Sequence, residues 1–149
     1  MRNEALATVG EALVGEWTLT MSGAWFVDDP DFVAHGTATV RWLNDAFLHL
    51  RADLGGENST WDWVFGRSDA NDRFEVLYHD ERGVLRLFAM TFAAGSWTMS
   101  REDPDFHQRW ISTIEPDRIV GRWEASEDAG ATWRKDFDLV WERRSPPTR

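Results

Sequence analysis

Arg67, Arg86 and Arg101 share their strand alternation with aromatic residues rather than with other charges. Trp61, Trp63, Phe65 and Arg67 fall on one face of a strand, with Asp62, Val64 and Gly66 on the other. Phe74, Val76 and Tyr78 repeat the pattern. So do Arg86, Phe88, Met90 and Phe92, then Trp97, Met99 and Arg101, and then Phe106, Gln108, Trp110 and Ile114. Trp133, Phe137, Leu139 and Trp141 close the set. A guanidinium among rings needs an acidic partner or a ligand anion, because an unpaired buried charge is very costly. The residue types therefore point to a cavity for a small amphipathic anion. Trp61, Trp63, Phe88, Trp97 and Trp110 would contact its apolar body, and Arg67, Arg86 and Arg101 its acidic group. Tyr78 and Gln108 would supply hydrogen bonds. The plainer reading places the three Arg at strand ends, where they reach solvent or a surface carboxylate.

Signatures of catalysis are missing from the chain. It has no G-x-S-x-G elbow, phosphate loop or G-x-G-x-x-G. His35, His49, His79 and His107 form no H-x-H or H-E-x-x-H group, and there is no Cys to complete a zinc site. No metal and no cofactor is expected. A single axial His would suffice for haem, and His79 beside Tyr78 is the least implausible candidate. A barrel enzyme, isomerase-like or haem-dependent, is the second reading, with Tyr78, His79 or Asp80 as acid or base. Most carboxylates sit in turns, where solvation explains them. Asp80 paired with Arg82 reads as turn chemistry of this kind.

Ser126-Glu127-Asp128-Ala129-Gly130-Ala131-Thr132-Trp133 matches the Ser-x-Asp-x-Gly-x-Thr-Trp "Asp box" of sialidase-like propellers. Its logic is local: Asp128 and Ser126 bond turn amides, Gly130 permits positive φ, and Trp133 packs across the hairpin. One copy cannot build a propeller, so the motif reads as a hairpin staple.

The 149 residues fit one domain and suffice for a sizeable core. Ten Trp against one Tyr supply large fillers for a β protein with a cavity. A net charge of −10 argues against nucleic acid and anionic membranes as partners. No segment is long and apolar enough for a membrane helix, and no signal-peptide core precedes the helix, so a cytoplasmic protein is expected.

Leu6, Val9 and Leu13 recur at helical spacing, and Gly15 can end that helix. Strands are expected over 16–26, 34–43, 46–54, 60–67, 73–79, 84–92, 96–101, 106–114, 118–126 and 132–143. Short sequential turns between them imply an up-and-down meander, and a meander this long removes its edges by closing. The fold expected is all-β: a single closed antiparallel β-barrel of about ten strands with a short N-terminal helix. Residues 1–144 form the barrel domain and 145–149 a frayed tail. Gly15 and Trp17 open the first strand and Arg143 ends the last, so Arg143 can cover Trp17 by cation–π stacking and plug the closure.

Gly15-Glu16-Trp17 resembles the Gly-x-Trp signature of the lipocalin-like (calycin) barrels. Leu77-Tyr78-His79-Asp80-Glu81-Arg82-Gly83-Val84, Gly95-Ser96-Trp97-Thr98-Met99-Ser100-Arg101 and Gly121-Arg122-Trp123-Glu124-Ala125-Ser126 add to it. Together they resemble a group of uncharacterised, largely actinobacterial lipocalin-like proteins. The resemblance implies a calycin-type barrel built around a pocket. A third reading is an interaction module, in which Trp42 or Trp123 on outer faces pairs two barrels into a homodimer.

Overall fold

Alternation of apolar and polar residues carries most of the chain into strands. The computed structural model describes residues 4–57, 59–70 and 72–144, so the tail expected over 145–149 lies outside the described residues. A 3-10 turn (Glu4–Leu6) leads into helix α1 (Ala7–Leu13). Ten strands follow: β1 (Gly15–Ser22), β2 (Val33–Leu43), β3 (Phe47–Asp53), β4 (Thr60–Arg67), β5 (Phe74–Asp80), β6 (Leu85–Ala93), β7 (Ser96–Glu102), β8 (His107–Glu115), β9 (Arg118–Ser126) and β10 (Arg134–Arg143). Each pairs antiparallel with its sequence neighbours, and β1 pairs with β10. The sheet is a closed barrel with no free edge.

The meander gives the barrel two ends. One carries the β2–β3, β4–β5, β6–β7 and β8–β9 connections together with α1; the other carries the β1–β2, β3–β4, β5–β6, β7–β8 and β9–β10 connections. The tight turns have the backbone they need. Asn44 and Asp45 take φ of 51° and 55°, and Ala94 and Gly95 take 50° and 79°. Two successive positive φ values match the right-handed twist of a hairpin.

Helix α1 shuts its end. Leu6, Val9 and Leu13 are fully buried, and the Trp17 indole Nε1 donates to the Leu13 carbonyl at 2.9 Å. The Arg143 guanidinium lies over the Trp17 ring at 4.2 Å and donates to the carbonyls of Val14 (2.9 Å) and Ala12 (2.8 Å). Gly15 has φ +136°, and a Cβ there would come within 2.7 Å of Arg143 Nη1. One Arg side chain thus fastens the helix, the first strand and the last.

Above this plug the barrel is filled by rings. Trp97 packs edge-on against Trp110 (5.7 Å) and Trp141 (5.6 Å), and Trp141 against Trp17 (5.8 Å). Trp123, expected on an outer face, is inside: it alternates with the outward pair Arg122 and Glu124 and stacks on Trp63 at 5.6 Å. Trp42 packs under α1 against Gly10 rather than standing free. Trp133, expected to face inward at the start of β10, precedes that strand and takes the Arg109 guanidinium on its ring at 3.9 Å.

The turn before β10 is held by side chains. Ser126 Oγ donates to Asp128 Oδ1 at 2.7 Å, and the Thr132 amide and hydroxyl donate to the same carboxylate. Ala129 and Gly130 supply positive φ of 57° and 88°. The Thr132 hydroxyl, then its amide, then Ser126 hold the Asp128 carboxyl below its ordinary 3.8, at about 2. A carboxyl lowered by folding contributes stability that is complete above the unfolded value and is lost as pH falls through the folded one. Acid titrations of wild type and Asp128→Ala should therefore differ above pH 3.8 and converge towards about pH 2. Parallel curves over that window would show that the ionised staple contributes nothing.

Candidate functional site

The end opposite α1 opens on a cavity of about 600 Å³. Its floor is aromatic. Trp63 touches Tyr78 (4.8 Å), Phe88 (5.1 Å) and Trp123 (5.6 Å), ring centre to ring centre. Trp61 and Phe137 extend the apolar wall upward. Trp25 and Phe26, on the loop between β1 and β2, overhang the mouth, each about half exposed (55% and 54%). The sequence expectation ran β1 on to residue 26. The strand instead stops at Ser22, and Gly23 turns the chain with φ 63°. The two rings thereby become a rim rather than a ladder.

Six of the ten residues expected to meet a ligand line this cavity: Trp61, Trp63, Tyr78, Arg86, Phe88 and Gln108. Trp97 and Trp110 do not. They lie deeper, around a separate space of about 10 Å³. Arg67 stands at the other end of β4, beside Asp72 (3.9 Å) and over the Phe74 ring (4.8 Å). Strand direction decides this, because β4 runs from the cavity mouth at Trp61 towards the helix end. Arg101 faces the right end but is fully engaged in its own turn. Its guanidinium pairs with Asp103 (2.7 Å) and Asp105 (3.0 Å), donates to the Phe106 carbonyl (3.3 Å) and covers the Phe106 ring (4.6 Å).

The polar groups on the wall fall into pairs. Tyr78 donates to Asp80 Oδ2 at 2.6 Å, and Arg82 binds the same oxygen through Nη2 (2.6 Å) and Nε (3.1 Å). Burial, then the Asp80 carboxylate, push the Tyr78 hydroxyl well above its ordinary value. Hydrogen bonds led by Arg82 hold Asp80 well below the carboxylate range. This triad keeps its protons where they are at neutral pH and is a poor proton shuttle. Arg134 lies over Trp25 (3.9 Å) and pairs with Glu127 (3.1 Å).

Arg86 is different. It lies over the rings of Tyr78 (5.8 Å) and Phe106 (5.1 Å), and among the described residues no carboxylate comes within salt-bridge distance of it. Burial, and next the Arg101 guanidinium, draw its pKa below the ordinary arginine value. It is a partly desolvated cation with rings for neighbours.

Sequence reasoning missed Arg82, Arg134 and Asp136 as wall residues. Arg82 and Arg134 sit beside turns, where alternation gives no face. None of the four His lines the cavity. His79 turns outward towards Asp62 (4.0 Å), which also takes His49 (2.9 Å) and Arg51 (3.1 Å). The wall therefore does not fit a His-ligated haem. Among the described residues no His, Asp or Glu cluster suits a metal ion, and no helix is long and apolar enough to cross a membrane.

No family model and no curated protein matches this chain. A solved structure does: the crystal structure of Rv2717c from M. tuberculosis superposes on 97% of this chain and 100% of that one, with a TM-score of 0.64. Sequence identity is 9%. The likeness is one of fold. It extends over the whole of that chain and leaves the wall residues to be read on their own chemistry.

Proposed function

We propose that the cavity binds a small amphipathic anion. Its apolar body lies against Trp61, Trp63, Phe88 and Trp123, and its acidic group meets Arg86. One observation carries this reading: among the described residues three Arg line the wall, Arg82 and Arg134 are paired with Asp80 and Glu127, and Arg86 is not. A guanidinium set among rings forms strong, planar hydrogen bonds with a carboxylate that displaces its water. The aromatic floor with a few polar tips is the usual composition of a small-molecule site. The resemblance to calycin-type barrels agrees with a pocket protein, and the protein acts by binding rather than by proton transfer.

The test compares 4′-methylbiphenyl-4-carboxylate with its methyl ester by titration calorimetry. In Arg86→Met the acid should lose about 10- to 100-fold in affinity, the worth of a charge-assisted hydrogen bond. The ester should change little. Equal losses for acid and ester would overturn the assignment of Arg86.

A further inference from the structure

Asp136 is the one residue of β10 that pairs with neither β1 nor β9. Lys135 pairs with Glu124 and Phe137 with Trp123, so Asp136 forms a β-bulge. A bulge bends its strand and re-aims a side chain. Here it brings two successive residues, Asp136 and Phe137, onto the cavity wall, where plain alternation would admit one. The irregularity therefore places a carboxylate on an otherwise aromatic stretch.

Among the described residues no cation pairs with that carboxylate. The neighbouring Arg134 and Lys135 are paired elsewhere, with Glu127 (3.1 Å) and Asp138 (2.8 Å). Asp136 accepts from the Trp25 indole Nε1 at 2.8 Å and from Gln108 Nε2 at 3.5 Å. A carboxylate offers about four acceptor sites, so these two bonds leave capacity for a further donor. The wall thus holds two closed ion pairs, Arg82 with Asp80 and Arg134 with Glu127, and two open charges of opposite sign, Arg86 and Asp136. A simple anion would satisfy one and leave the other unpaired on the same wall, which is costly.

We infer that the ligand is a zwitterionic amphiphile, with its acidic group on Arg86 and an ammonium or similar cationic donor on Asp136. This rests on the reading of Arg86 as the anchor of the anion. The path between the two charges runs over the Phe106 ring, which Arg86 covers at 5.1 Å, and then the Gln108 amide that reaches Asp136. The ligand's own charges therefore stand at separate points of an apolar body rather than on one carbon.

Two probes of nearly equal shape decide it: 4′-methylbiphenyl-4-carboxylate and 4′-(aminomethyl)biphenyl-4-carboxylate. Titration calorimetry on the wild-type protein should show the zwitterion binding about tenfold more tightly than the acid. In Asp136→Asn, which keeps an acceptor for Trp25, that margin should disappear while the acid binds as well as before or better. A zwitterion no tighter than the acid in the wild type, with acid binding still dependent on Arg86, would overturn this inference and leave the anion site standing. Loss of Arg86 dependence for both would overturn the anion site as well. The wild-type comparison needs no variant, so a misfolded Asp136→Asn would not blunt it.

Discussion

Trp97→Ala is expected to lower the free energy of unfolding by about 3–5 kcal/mol, the usual cost of removing a large buried ring. Trp97 is 1% exposed and meets four rings: Phe65 at 6.1 Å, Phe92 at 6.4 Å, Trp110 at 5.7 Å and Trp141 at 5.6 Å. Its neighbours come from β4, β6, β8 and β10, so the cavity left behind would touch strands all round the barrel. Backbone pairing on both sides of every strand prevents the wall from collapsing into the gap. Urea unfolding followed by far-UV circular dichroism measures the effect. A loss below about 1 kcal/mol would mean that the lower barrel is loosely filled, in conflict with the packing described here.

Arg101→Met carries the second large expectation, and it concerns stability rather than ligand. Arg101 is a buried cation whose side chain is 6% exposed, while its partners Asp103 and Asp105 are half or more exposed. Removing it leaves the Phe106 carbonyl without its donor and two like charges side by side in one short turn. The expected cost is about 2–3 kcal/mol, below that of a fully buried pair because the carboxylates can turn to water. The ratio of acid to ester affinity should change far less than in Arg86→Met, since Arg101 does not line the cavity and acts on a bound anion only from behind Phe106 and Arg86. A selective loss of acid binding, with stability unchanged, would return Arg101 to the site.

Sequence and structure agree where alternation is clean and part where it is interrupted. β4 and β9 begin and end where Trp61-Asp62-Trp63 and Ile119 to Ala125 place them. The staple around Asp128 is local chemistry and was legible from residue types alone. The position of Arg67 was not, because facing inward does not say at which end of the barrel a residue stands. Trp123 was misplaced although Arg122 and Glu124 beside it mark the outside. The largest gap was Asp136. A bulge breaks the period of two without announcing itself in residue type, and Lys135-Asp136 reads as ordinary surface. The wall of charges could therefore be drawn only after the register between β9 and β10 was known.

The β1–β10 seam has a kinetic meaning. Every other strand pair joins neighbours in sequence and can zip from the connection between them, whereas Arg143 reaches back to Ala12 across 131 residues. Such a contact brings no return until the whole intervening chain has been ordered, so its loop-closure entropy falls late and all at once. Before that moment the chain is an open meander with two unsatisfied borders, the form most prone to pair with a second molecule. Arg143 and Trp17 therefore act as the latch that ends this exposure. Weakening them would act less on the finished barrel's binding than on the time it spends vulnerable before closing.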